Sequence, residues 1–148
     1  MKKNYKIFLV PAIIIIIAGF FSGYGRQSYD KIAIDLLKER TNILQKAYYG
    51  HMELEKAEAY LSKIETYPLL SEDIQGLRSA DPACLDIIRS MEFVEIGNMS
   101  KMFDYISFYV QIRWYMSGLD GDYICENDYV VVLKETNSGL KLSEFNAR

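Results

Sequence analysis

Apolar positions along this chain follow three successive spacings, and each predicts a different kind of element. From Ile7 to Tyr24 no residue is charged, Ile13 to Ile17 are five consecutive isoleucines, and Lys2, Lys3 and Lys6 precede the run. Such a stretch suits hydrocarbon better than the core of a small water-soluble domain, and it predicts an N-terminal transmembrane helix. From Tyr29 the period becomes helical. Ile32, Ala33, Leu36, Leu37, Ile43, Leu44, Ala47 and Tyr48 form a stripe, with Ser28 as its cap and Gly50 at its end. A second helix is expected from about Met52, with Leu54, Ala57, Leu61 and Ile64 on one face, Glu53, Glu55, Lys56, Glu58 and Lys63 on the other, and Pro68 as its stop. Two short helical turns are expected next. One starts at Ser71 with Ile74 and Leu77; the other starts at Asp81-Pro82 and turns Cys84, Leu85, Ile87 and Ile88 inward.

Beyond that the period is two. Phe93 to Ile96 reads as a short strand and Met102 to Met116 as a long one, with Met102, Ile106, Phe108, Val110, Ile112, Trp114 and Met116 on one face and Tyr105, Ser107, Tyr109, Gln111, Arg113 and Tyr115 on the other. Ser117 to Gly121 is a hairpin loop, Tyr123 to Leu133 returns antiparallel, and Asn137-Ser138-Gly139 turns into a closing strand at Leu140 to Phe145. Helices first and a meander last define an α+β fold: two longer and two short helices packed on a twisted antiparallel sheet of about four strands.

The apolar run is slightly short of the 20 or so residues that span a bilayer, which also fits the hydrophobic region of a secretory signal. Around Ser22, Gly23 and Gly25 the bulky Phe20, Phe21 and Tyr24 spoil a cleavage site, so an uncleaved anchor is the better reading. The cysteines, Cys84 and Cys125, are too distant for lipid attachment after the run. With three lysines ahead of it and only Arg26 and Lys31 just beyond, the positive-inside rule places the N terminus in the cytoplasm. Residues 1–25 are thus expected to be the membrane segment and residues 26–148 an extracytoplasmic domain.

Charge narrows the partners. Of 17 basic residues, setting aside Lys2, Lys3 and Lys6 leaves 14 against 20 acidic ones in the outer part, a balance of minus 6. That argues against nucleic acid and anionic head groups. Hydrophobic residues make up 50% of the chain and aromatic ones 14%, which excludes a disordered tail. Export permits a bond between Cys84 and Cys125, but two separate buried thiols are the better reading. With one histidine and widely spaced cysteines the chain shows no metal-site spacing, and no cofactor motif occurs.

The order of elements, with Tyr48-Tyr49-Gly50-His51-Met52 between the first helices and Ile64-Glu65-Thr66-Tyr67-Pro68-Leu69-Leu70 after the second, resembles exported members of the nuclear-transport-factor-two-like (cystatin-like α+β) superfamily. The likeness covers about Ser28 to Arg148, although the early strand pair of many members is not evident in the pattern. It implies a cone of helices against a curved sheet, often with a concave pocket, in proteins that are sometimes enzymes and often binding or assembly modules.

Few side chains announce chemistry. His51, the single histidine, falls between two helices, where capping is the ordinary role. Asp104 shares the alternation of Ile106 and Trp114, so it either reaches the apolar face as a pocket acid or lies wet at the strand end. Glu126-Asn127-Asp128 interrupts a β-branched strand and suggests a bulge that could bring Glu126 or Asp128 to Asp104 and Trp114 as an acid and base pair. Asp120, Asp122 and Glu126 around Gly121 do not follow a calcium-loop spacing. Tyr105, Tyr109, Arg113 and Tyr115 make an outward stripe of the residue types that dominate protein interfaces.

The expected function is a single-pass, membrane-anchored extracytoplasmic binding or assembly module without catalysis, with a protein partner or a second copy of itself. The alternative is a small pocket enzyme or ligand carrier using Asp104 with Glu126 or Asp128. A pilin-like subunit shares the outline only, since no acidic residue precedes Asp30 and Gly19, Gly23 and Gly25 would disturb a continuous first helix.

Overall fold

The computed structural model describes residues 28–81 and 86–148. The chain divides into two units, Met1–Lys31 and Ile32–Arg148. The apolar run and the anchor expected there lie outside the described residues. Among the described residues no helix is long and apolar enough to cross a membrane.

Helix α1, Tyr29–Tyr48, follows the predicted stripe and buries Ala33, Leu37, Ile43 and Leu44. Ser28 caps it, its carbonyl taking the Lys31 amide at 2.9 Å and its Oγ the same amide at 3.4 Å. Its end is a left-handed stop at Gly50, φ +71°. There the His51 amide donates to the Lys46 carbonyl and the Gly50 amide to that of Ala47, so two otherwise orphaned carbonyls are satisfied. Helix α2, Leu54–Ile64, buries Ala57, Leu61 and Ile64. Pro68 does not end it. Glu65 is already extended, and its segment leaves the helix to bridge Leu142, with the Thr66 amide donating to the Leu142 carbonyl at 2.8 Å. Pro68 instead precedes α3, Leu69–Ser79, an 11-residue helix where only a short turn from Ser71 was expected. The turn expected at Asp81-Pro82 falls largely outside the described residues, and Ile87 and Ile88, expected to be helical, are strand.

The sheet is an antiparallel meander in the order β1-β2-β3-β4. Strand β1, Ile87–Met102, is 16 residues long where the pattern suggested a short piece around Phe93. Three register irregularities, between Ile88 and Ser90, Phe93 and Glu95, and Gly97 and Ser100, reset its alternation and hide it from a period-two reading. Conversely, the long strand expected from Met102 is two. Phe103 and Asp104 form a tight turn that sets Met102 opposite Tyr105. Partners across a two-residue turn share a face, so Met102 lies with Tyr105 on the outer face and not with Ile106 as expected, and the alternation does not run through the turn. Strand β2, Tyr105–Gly118, buries Ile106, Phe108, Val110, Ile112 and Trp114 as expected. Strands β3, Gly121–Thr136, and β4, Gly139–Ala147, complete the sheet, each opening on a glycine with positive φ.

Two apolar sets meet between the layers. Ile43, Leu44, Ala57, Leu61 and Ile64 pack with Tyr48, Leu70 and Leu77 among the helices. From the sheet come Ile106, Phe108, Val110, Ile112, Val131, Leu133 and Leu142, all essentially inaccessible. At about 1.5–3 kcal/mol for each fully buried large side chain, these sets supply the main drive to fold.

Candidate functional site

Helix α1 lies over the sheet at the end of β2 and the start of β1. The Ile88 amide donates to Gln45 Oε1 at 3.1 Å, and the Arg40 guanidinium stands 5.1 Å from the centre of the Phe145 ring. Between them is a cavity of about 320 Å³ lined by Arg40, Leu44, Gln45, Tyr48, Trp114 and Tyr129, with Thr41, Ile88, Met116, Cys125, Asn127 and Phe145 completing the wall. Its aromatic side is internally satisfied. Trp114 Nε1 donates to the Tyr129 hydroxyl at 3.0 Å, Trp114 and Tyr129 meet edge to face, and Tyr129 stacks on Phe145 at 4.3 Å. The wall therefore presents ring faces, with Gln45, Asn127 and Arg40 as its polar points.

Behind Arg40 is a buried charge cluster. Arg40 donates to both oxygens of Asp73, from Nε at 2.7 Å and Nη2 at 2.6 Å. Glu65 Oε1 lies 3.2 Å from the same Nε. That nitrogen carries one hydrogen, already given to Asp73, and neither Glu65 oxygen has a hydrogen-bond partner. Glu65 is 1% exposed. Burial, and after it the neighbouring Asp73 carboxylate, push the Glu65 carboxyl up to about 9 against the opposing pull of Arg40. Glu65 is thus neutral at pH 7, and the cluster holds one positive and one negative charge. Burial and Asp73 likewise raise the Tyr48 hydroxyl.

Of the predicted pocket residues only Trp114 lines this cavity, with Cys125 and Asn127 beside it. Asp104 sits exposed in the β1–β2 turn, so it does not join the apolar face; the turn breaks the register that would have carried it there. No bulge occurs at Glu126-Asn127-Asp128, because β2 and β3 pair without a shift and set Arg113 opposite Glu126 and Gln111 opposite Asp128. Nine residues of β2 separate Asp104 from the level of Glu126, roughly 30 Å at strand rise, so the carboxylate pair does not form. Uninterrupted alternation turns Asn127 to the cavity and leaves Glu126 and Asp128 on the opposite face.

On that outer face the predicted stripe is present and largely engaged. Arg113 donates to Glu126 and to Glu92 at 3.0 Å, Tyr115 donates to Glu92 at 3.1 Å, and hydrogen bonding to Glu126, then to Tyr115 and Glu92, holds the guanidinium above its usual range. Hydrogen bonding to Asp128 raises Tyr109, while Lys134 stands over Tyr105. His51 lies apart, in a hollow with Glu39, Lys46, Lys56 and Tyr60. Cys125 is a half-buried free thiol at the cavity wall, while Cys84 lies outside the described residues. Among the described residues no group of three His, Cys, Asp or Glu side chains is placed to hold a metal ion.

The charged trio escaped the sequence reading although it left a trace there. Arg40 continues the stripe Ala33, Leu37, Leu44; Glu65 continues Ala57, Leu61; Asp73 sits between Leu69 and Leu77. Each is a charge at a helical core position, and a buried charge requires a partner of opposite sign. No protein-family model and no curated protein matches the chain.

Proposed function

We propose that this chain is a membrane-anchored extracytoplasmic binding module without catalysis, and that the cavity under α1 is its ligand site. The carrying observation is the cavity itself: an aromatic wall in which Trp114 Nε1 is satisfied by Tyr129, with Arg40 and Gln45 from α1 and Asn127 from β3 as polar points. This combination suits a small ligand, or one side chain of a protein partner, with an apolar body and a hydrogen-bonding end. Its volume is near the lower end of such sites. A concave pocket is also what the superfamily resemblance implies. The outer stripe of Tyr105, Tyr109, Arg113 and Tyr115 is the weaker candidate, because a partner would have to displace the ion pairs of Arg113.

Trp114 provides the test, being the chain's single tryptophan and part of the wall. The amphipathic dye anilinonaphthalene sulfonate, aromatic with one anionic end, titrated into the full chain in mild detergent, is expected to change Trp114 emission and to saturate. Cys125→Phe fills the cavity from β3 and is expected to weaken that binding at least about tenfold, a difference of about 1.4 kcal/mol. Equal dye binding by the variant, with Trp114 emission unmoved, would reject the cavity as the site.

A further inference from the structure

The β1–β2 turn, at the end of the sheet remote from the cavity, places large apolar side chains in water. Phe103 is 87% exposed and Met102 68%, while Met99, slightly further back on the edge strand, is 56% exposed. Tyr105 stands opposite Met102. Phe103 also has left-handed backbone, φ 52°, a conformation that costs a bulky residue about 1–2 kcal/mol. Neither its solvent nor its backbone favours a phenylalanine there. Such a combination points to a use outside the fold.

The direction of α1 indicates what that use is. Gln45 meets Ile88, and Lys38 stands 5.8 Å from the centre of the Phe93 ring. Moving back along α1 therefore moves forward along β1, toward Met102 and the turn. In the sequence only Gly25 to Ser28 separate the apolar run from α1, a link of at most about 14 Å when fully extended.

We infer that the β1–β2 turn dips into the outer-leaflet interface of the bilayer, with Phe103 and Met102 at the acyl boundary and Tyr105 at head-group level. The inference rests on reading Ile7 to Tyr24 as a membrane anchor. Charge at the turn is balanced: Lys101 is paired with Glu135 at 2.8 Å, Lys134 covers Tyr105, and Asp104 shares the turn. Insertion is therefore carried by apolar area and does not require anionic lipid.

The test uses the full chain with Cys84→Ser and Cys125→Ser, reconstituted in phosphatidylcholine vesicles and labelled with an environment-sensitive dye at Phe103→Cys or Leu119→Cys. Leu119 is 97% exposed in the β2–β3 turn at the opposite end of the sheet. Quenching by doxyl lipid is expected to be several-fold stronger at position 103 than at 119, quenching by aqueous iodide several-fold weaker, and both unchanged when phosphatidylserine is added. With the dye moved to Met102→Cys, Phe103→Asn should reduce lipid quenching. If the chain withstands an alkaline carbonate wash but both positions are equally open to iodide, the inference fails and the anchor stands. Release of the chain by carbonate would overturn both.

Discussion

Replacing Glu65 by Gln tests the buried cluster, because two electrostatic pictures of it predict opposite signs. In the unfolded chain Glu65 ionises near 4.5, whereas in the fold burial and Asp73 hold it neutral up to about 9. Below 4.5 both states keep the proton and Glu65 contributes no pH dependence. Between the two values the unfolded state has released its proton and the native state has not, so stability falls as pH rises and stops falling only above about 9. At pH 7 the chain has crossed roughly 2.5 units of that window, at 1.36 kcal/mol per unit, and the loss is about 3 kcal/mol. This figure holds for any native value well above 7. Glu65→Gln keeps the shape and cannot titrate. The variant should match the parent near pH 5 and exceed its stability by about 3 kcal/mol at pH 7. Urea unfolding of the full chain in mild detergent, followed by Trp114 emission at a series of pH values, measures both. Were Glu65 instead ionised and paired with Arg40, the same change would destabilise by about 3–5 kcal/mol at pH 7. That sign, or two stability curves that stay parallel from pH 5 to 9, would refute the reasoning.

Asp73→Asn removes the bidentate partner of Arg40 and leaves Glu65 to ionise in its place; unfolding should show a loss below about 3 kcal/mol and a flatter pH dependence above pH 5. Gly118→Ala puts a methyl group 2.7 Å from Asp86 Oδ1 and disturbs the 2.6 Å bond from the Tyr123 hydroxyl to that carboxylate. A cost of about 1 kcal/mol is expected, and a double-mutant cycle with Asp86→Ala should recover most of it. Tyr129→Phe deprives Trp114 Nε1 of its acceptor at the cavity wall, and should cost about 1 kcal/mol in urea unfolding while shifting Trp114 emission.

Periodicity made the helices and the inner face of β2 legible, because burial there is one-sided and regular. Ala33, Leu37 and Leu44 on α1, and Ile106 through Trp114 on β2, are where the pattern put them. Elements were misjudged where the backbone changes phase without changing composition. Two of the three irregularities of β1 shift phase with no glycine or proline to mark them, and the turn at Phe103-Asp104 reverses phase with Asp104 as its one typical turn former. Asp104 followed from that second error, since a residue can alternate with the core and still sit in a turn. The cavity was only partly legible: Trp114 was singled out, while its polar points come from Gln45 and Asn127, which local pattern assigns to ordinary surface, and from Arg40 on the core stripe of α1. Reading Arg40, Glu65 and Asp73 together as charges on core stripes would have located its rear wall.

The buried trio also explains why a cavity persists under α1. Arg40 comes from α1, Glu65 from the residue after α2 and Asp73 from α3, while the Glu65 segment is bridged to Leu142 of β4. Three helical segments and the sheet thus meet at one guanidinium. Net stability is a poor reason for such a cluster, since well-packed apolar residues commonly do as well. Geometry is the better one. Sliding α1 by one turn, about 5.4 Å, would pull Arg40 from its two bonds to Asp73 and leave a charge buried without its partner. An apolar seam would tolerate that shift, and it would let Leu44 and Tyr48 settle toward Trp114 and Tyr129 until the space closed. With Arg40 fixed, α1 has one register over the sheet, and in that register these side chains stand apart.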